Sequence, residues 1–302
     1  MKINGFVNLL KAPGMTSHDV VARARKILQE KRIGHLGTLD PEAAGVLPIA
    51  VGQATRLVQF LSGSDKIYRA QLCLGSTTES QDFTGAVLAE KPVPAISTEE
   101  LQRTLKHFEG TIEQIPPMVS AVSVKGKRLY EYAREGIEVE RSSRKVQIYR
   151  LEILQFDPEK PEEIIIEVHC SGGTYVRTLC HDIGQVIGCG AHMGWLIRTQ
   201  SGPFPLSESI PLEALTNEKA TTTALSLYQA MEEFPSWEVP EHRLEALQKG
   251  LSQYIKGSWT EGQWIRLHHR GQLLAMGQVY QQGERWSCQP KKVFHCSQKV
   301  TK

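Results

Sequence analysis

GHLGTLDPEAAGVLP, residues 34–48, decides how the rest of this chain is read. Asp40 followed by Pro41 and then Glu42-Ala43-Ala44 has the form of a helix start, with Asp as the cap and Pro at the first helical position. The same residues suit a reacting group in a tight pocket. Pro41 biases Asp40 toward extended backbone and so fixes the direction of its carboxylate, while Gly34 and Gly37 let another stretch of backbone approach closely. The choice between cap and reacting group rests on the rest of the chain.

With 302 residues, 40% hydrophobic and 23% charged, the chain has the composition of a folded globular protein with enough length for two domains. No apolar run is long enough for a signal peptide or a membrane span, so a cytoplasmic location without a membrane partner is expected. The six cysteines (Cys73, Cys170, Cys180, Cys189, Cys288 and Cys296) form no CxxC pair, which points to reduced, mostly buried thiols. Cys180-His181 with Cys189 and His192 imitates a zinc pattern. However, Cys180 falls on the apolar face of a helix and no second spaced pair exists, so no metal is expected. Ser17-His18-Asp19 has the letters of a hydrolase triad, but adjacent residues cannot converge as nucleophile, base and orienter. The absence of Walker A, GxGxxG and HExxH patterns removes the commonest nucleotide-hydrolysis, dinucleotide and metalloprotease readings.

The net charge of +2 is unevenly spread. Residues 1–150 carry 21 Lys and Arg against 16 Asp and Glu, residues 151–240 carry 4 against 13, and residues 241–302 carry 10 against 4. Two basic ends around an acidic middle point mildly to a polyanionic partner.

Thr16 and Asp19 form a capping box ahead of Val20, Val21, Ala24, Ile27 and Leu28, so an amphipathic helix is expected there with Arg23, Arg25 and Lys26 outward. VLPIAVG reads as a buried strand, and KIYRAQLCLG alternates so that Tyr68, Ala70, Leu72 and Leu74 share one face. Ser97 and Glu100 cap a helix carrying Leu101, Leu105 and Phe108, closed by Gly110. Residues 116–144 fit neither period and form a long basic segment of the kind that is usually functional. KVQIYRLEIL and EEIIIEVHC read as strands. SGG then leads into a helix with Val176, Leu179, Cys180, Ile183, Val186 and Ile187 on its apolar face, ending at Gly188. Strands and helices without a regular βα repeat predict an α+β protein. A boundary falls in FPSWEVPEH, which divides the chain into residues 1–234 and a small, basic, β-rich appendage over 235–302. There GQWIRLHH, GQLLAMGQVY and ERWSCQP are strands joined by turns at 269–271 and 282–283.

Two further stretches bear on Asp40. Tyr68 starts a strand with its ring inward and a hydroxyl to satisfy. Tyr175 and Arg177 follow a Gly-Gly turn at a helix start, where the helix dipole disfavours a cation, so Arg177 calls for a reason such as a carboxylate partner. Core packing for the tyrosines and solvation for the arginine are the plain alternatives.

GHLGTLDPEAAGVLPIAVGQATRL, DKIYRAQLCLG, TESQDFTG, IPPMVSAVSVKGKRLYEYAREG and CSGGTYVRTL together resemble, in this order, the bacterial TruB family of tRNA pseudouridine-55 synthases, over roughly residues 5–215. The resemblance implies the pseudouridine synthase fold, with a mixed, largely antiparallel central sheet flanked by helices. The C-terminal part is weakly similar to a PUA-like domain.

By this resemblance Asp40 is the catalytic aspartate, Arg177 the arginine paired with it, and Tyr68 the tyrosine that stacks on the target base. His35 is the histidine inserted into the RNA loop, and Tyr175 and Leu196 line the uracil pocket. Residues 116–144 are the RNA-clasping loop, with Lys125, Lys127, Arg128, Arg134, Arg141 and Arg144 as candidate phosphate contacts. The implied reaction isomerises uridine 55 in the T-loop of tRNA by base flipping, consumes nothing and implies no cofactor. Departures from the family pattern are Lys11-Ala12-Pro13-Gly14, and Glu42 and Ala44 after the aspartate. The alternative reading is an RNA-binding tRNA-folding factor on the same scaffold, against which the Asp40, Tyr68 and Arg177 set speaks. A guide-RNA-dependent synthase of the related archaeal and eukaryotic branch is a further rival, and the complete clasping loop favours a stand-alone enzyme acting without guide RNA.

Overall fold

Alternating side chains along Lys66–Leu74 place Lys66, Tyr68, Ala70, Leu72 and Leu74 inward, as the sequence predicts, and this strand lies at the centre of the main sheet. In the computed structural model, which describes residues 3–295 except Ala121 and Lys125, the sheet order is Ile210–Pro211, Gly5–Lys11, Ala44–Val51, Ala191–Ser201, Lys66–Leu74, Glu163–Cys170, Arg144–Gln155, Gly110–Gln114. Ile33–His35 and Phe204–Pro205 pair onto it from outside this path. Gly5–Lys11 with Ile210–Pro211, and Ala44–Val51 with Ala191–Ser201, are parallel, whereas the other pairings are antiparallel. The fold is α+β with a mixed, largely antiparallel sheet.

Helices Ser17–Leu28, Thr98–Lys106 and Val176–Ile187 supply Val20, Val21, Ala24, Leu101, Leu105, Leu179 and Ile183 to the apolar core built on this sheet. The expected Thr16–Asp19 and Ser97–Glu100 capping boxes form. Ile27 and Val186, assigned above to apolar faces, are 36% and 62% exposed. Each sits at the edge of its helix's buried stripe, turned beyond the reach of the sheet. Gly110 does not close the second helix. That helix ends at Lys106, and Gly110, at φ 97°, begins the next strand.

The segment expected to lack a period contains a two-residue hairpin, Ser123–Val124 against Lys127–Arg128, and the short helix Leu129–Arg134. A second sheet runs in the order Ser236–Glu238, Trp264–His269, Gln272–Gln282, Arg285–Val293, Gln253–Ile255 around its own core of Val239, Leu247, Ile265, Leu267 and Val279. It joins the main sheet through an apolar cluster in which Phe6, Leu36, Val46 and Phe204 meet Leu273, Met276 and Phe294. The Gln53 side chain also exchanges two hydrogen bonds with the His295 backbone, at 2.8 and 3.1 Å. Among the described residues no helix is long and apolar enough to cross a membrane.

Candidate active site

Asp40 does not cap a helix. The Ala43 N–H donates to the Asp40 carbonyl at 3.1 Å, which closes a single turn, and the chain is in strand from Ala44 onward. The strand prevails because Ala44–Val51 pairs along its length with Gly5–Lys11 and also with Ala191–Ser201, which holds the residues after the turn extended. Close approach occurs at neither of the two glycines singled out above. Nothing lies near a Cβ at Gly34, and Gly37 would make ordinary contact, whereas at Gly45 (φ 112°) a Cβ would sit 2.2 Å from the Arg198 carbonyl oxygen.

The backbone around Asp40 is held by side chains remote in sequence. Lys11, fully buried, donates from Nζ to the carbonyls of Ala12 (2.9 Å), Pro41 (2.8 Å) and Ala43 (2.7 Å). Arg198, 1% exposed, donates to Val46 (2.8 Å), Gly37 (3.1 Å) and Thr38 (3.3 Å). The Ser17 hydroxyl accepts from the Leu39 N–H at 2.8 Å and donates to the Leu39 carbonyl at 3.1 Å. Burial pulls the Lys11 ammonium down to about 8, against the opposing pull of Glu42 and Asp40. Lys66, which donates to the Ser62 and Ser64 carbonyls, is lowered to about 8 by burial and then by the Arg198 charge.

Arg177, 4% exposed at the start of its helix, has the carboxylate partner its position calls for, and a second one. Its Nε lies 3.0 Å from Asp40 Oδ2 and its Nη2 3.3 Å from Oδ1, a two-pronged pairing. Nη1 reaches Asp82 Oδ2 at 3.3 Å and the Ser80 carbonyl at 3.2 Å, and Nη2 donates to the Val119 carbonyl at 2.8 Å. Asp82 is fixed in turn by the Ser80 hydroxyl (2.6 Å) and by the N–H (3.0 Å) and hydroxyl of Thr84. The Asp40 side chain keeps 40% of its surface open. Burial of its carboxyl raises the pKa, Arg177 opposes this, Asp82 adds to it, Lys11 opposes, and the net direction is upward.

Asp40 and Arg177 line a cleft of about 510 Å³ together with Thr38, Lys66, Tyr68, Tyr175, Leu196 and Arg198. Tyr68 stands opposite Val168 on one side and Arg198 on the other, nearly buried, and burial raises its phenol pKa against the pull of the Arg198 charge. Leu196, opposite Ala70, is buried. Tyr175 precedes the Arg177 helix, and the Gln114 amide grips its backbone by donating to the carbonyl (3.1 Å) and accepting from the N–H (2.9 Å). His35 ends the strand Ile33–His35, half-buried. Its pKa is lowered by burial and by the Arg198 and His18 charges, and among the described residues its Nδ1 has no partner. It does not line the cleft.

Of the basic candidates, Arg128 and Arg144 line the cleft. Lys127 pairs with Glu135 and lies 4.8 Å from the Tyr132 ring, while Arg141 donates to the Pro116 carbonyl at 3.0 Å and meets Glu138 at 3.4 Å. Arg134 closes its helix, and Lys125 lies outside the described residues. Among those residues no His, Cys, Asp and Glu group is arranged to hold a metal ion. In the zinc look-alike, His192 Nδ1 meets Ser76 and Cys189 Sγ meets the Gly190 carbonyl, while burial raises the Cys180 thiol pKa. Asp82, Gln114, Lys11, Lys66 and Arg198 escaped the sequence reading. Asp82 and Lys66 lie in the TESQDFTG and DKIYRAQLCLG stretches and Lys11 in Lys11-Ala12-Pro13-Gly14, but none was given a role at the site.

The family model for the N-terminal domain of TruB family pseudouridylate synthases matches residues 25–176, and that for the tRNA pseudouridylate synthase B C-terminal domain matches residues 177–232. A tRNA pseudouridine synthase B of Heliobacterium modesticaldum is 60% identical over 295 residues, 97% of this chain and 96% of its own length. The Moorella thermoacetica protein of the same name is 46% identical over 92% of this chain and 94% of its own. Among solved structures, a chain of a Cbf5-Nop10-Gar1 complex superposes with a TM-score of 0.76 at 28% identity, covering 96% of this chain and 85% of that one. A chain of an H/ACA RNP bound to a substrate RNA containing 2′-deoxyuridine gives 0.75 at 26%, covering 97% and 85%. With the Asp40–Arg177 cleft, these matches show that the chain belongs to the TruB family of pseudouridylate synthases.

Proposed function

We propose that this protein converts uridine 55 in the T-loop of tRNA to pseudouridine, acting alone in the cytoplasm without a guide RNA. The observation that carries the reading is the Asp40 carboxylate, held from behind by buried Arg177 and open in front to a cleft walled by Tyr68 and Leu196. In the isomerisation the C1′–N1 bond breaks, the uracil turns in place, C5 joins C1′, and the proton lost from C5 is balanced by one gained at N1. Asp40 acts on the uridine as a carboxylate and Arg177 keeps it ionised against burial. Tyr68 stacks on the base, while Tyr175 and Leu196 wall the pocket. The base must leave the RNA loop to enter, at a cost of a few kcal/mol that contacts offset. His35 takes part on the RNA side of the loop.

Residues 116–144 clasp the RNA through Lys127, Arg128, Arg141 and Arg144, with Lys125 and Arg134 as further candidates. Residues 1–234 form the catalytic domain and 235–302 a PUA-like RNA-binding domain. Substrate and independence from a guide are supported by relatives named tRNA pseudouridine synthase B at 46–60% identity, well above the 26–28% of chains from the two solved complexes. The test is pseudouridine mapping at nucleotide resolution on an unmodified tRNA transcript. One new pseudouridine, at position 55, is expected with protein alone. Binding with no uridine converted would favour the folding-factor reading instead.

A further inference from the structure

Ser120 lies in the basic segment and also lines the cleft. It is 6% exposed, and among the described residues its hydroxyl has no hydrogen-bond partner. A turn fixes its backbone, with the Ser120 N–H donating to the Met118 carbonyl at 3.0 Å. The preceding residue, Val119, accepts from Arg177 Nη2, so Ser120 adjoins the group that holds Asp40. Buried hydroxyls are nearly always paired, and one left unpaired costs free energy in the unliganded protein. An orphaned, buried hydroxyl on a cleft-lining residue, next to the residue that accepts from Arg177, is accounted for if its partner arrives with the substrate.

We propose that the Ser120 hydroxyl donates a hydrogen bond to a carbonyl oxygen of the uracil held against Asp40. This deepens the functional reading above and rests on it. Uracil presents carbonyls on two sides of its ring nitrogen, and a serine hydroxyl can turn to meet either. The contact makes the basic segment part of the uracil pocket as well as the grip on RNA. The pocket is then complete only when the segment is seated through Val119 on Arg177.

The test is Ser120→Ala, assayed by single-turnover pseudouridine formation on an unmodified tRNA transcript and by thermal melting. Loss of one neutral hydrogen bond predicts a rate lower by about three- to tenfold, with a melting temperature no lower than the parent's, because an orphaned polar group has been removed. With 2-thiouridine or 4-thiouridine at the target position, whose sulfur is a weak acceptor, parent and variant converge on one of the two. On 2′-deoxyuridine they remain apart. Equal rates on the ordinary transcript, a lowered melting temperature, or convergence on neither thio substrate would overturn the proposal. Convergence on 2′-deoxyuridine would overturn it too, since the contact would then be to the ribose. A parent protein that makes no pseudouridine would remove the functional reading itself, and this contact with it.

Discussion

The loop carrying Asp40 and the basic segment 116–144 face one cleft and are built in opposite ways. Around Asp40, two buried cations and a buried serine tie down the backbone of residues 37–46, and Arg177 ties down the carboxylate. In the basic segment the described ion pairs are local and partly exposed, Lys127 with Glu135 and Arg141 with Glu138. Buried groups with several fixed partners are costly to disturb, whereas exposed pairs are worth little. On the proposed reading, the reacting group is tied down by many fixed partners and the RNA grip by few.

Arg177 should mark the sharpest difference between the two regions. Arg177→Met leaves Asp82 and Asp40 without their shared cation, and removing one partner of a buried pair costs about 3 kcal/mol or more. Pseudouridine formation should fall by at least two orders of magnitude on the ~3–4 kcal/mol scale of lost electrostatic support, as read by single-turnover rates beside denaturant unfolding. Arg198→Met should follow. It removes the donor shared by the Gly37 and Thr38 loop carbonyls and the Val46 strand carbonyl, at about 1 kcal/mol each, so stability should drop by roughly 3 kcal/mol. An unfolding midpoint close to the parent's would show that the loop does not depend on its clamp.

Asp40→Asn should act on stability in the other direction. The Asp40 carboxyl is raised in the folded protein, so its ionisation opposes folding; that penalty is absent below the ordinary aspartate range, grows as pH rises from there to the folded pKa and is constant above it. The variant should therefore melt no lower than the parent at neutral pH, with any advantage disappearing in acid. For the same reason the acid limb of the parent's rate profile should lie above the ordinary carboxylate range. A pH-independent loss of stability on substitution would mean that the Arg177 pair outweighs burial.

The smallest effects belong to the basic segment. Lys127→Ala or Arg141→Ala should change folding stability by less than about 1 kcal/mol, while weakening tRNA binding and flattening its decline with salt. Salt-insensitive binding by the parent would contradict an electrostatic grip.

The same contrast explains what was legible in the sequence. Alternation showed the Tyr68 strand and capping boxes showed two helices, because those rules act between near neighbours. Arg177 drew notice because a cation at a helix start conflicts with a local rule. The clamping roles of Lys11 and Arg198 were not readable, since their partners are backbone carbonyls, and Arg198 lies 152 residues from the Val46 it holds. The helix start that the residues after Asp40 allow was locally sound and goes no further than a single turn, because strand pairing, which no window of that length contains, takes over at Ala44. Lys11-Ala12-Pro13-Gly14, a departure from the family pattern, still delivers the Lys11 ammonium to the Pro41 and Ala43 carbonyls.

The most direct test of the central claim compares parent and Asp40→Asn on one unmodified tRNA transcript, with affinity and pseudouridine at position 55 measured together. The expected result is comparable binding and, in the variant, a rate lower by more than about three orders of magnitude, the scale on which loss of a reacting group acts. Pseudouridine forming at position 55 at a similar rate with both proteins would contradict Asp40 as the reacting carboxylate.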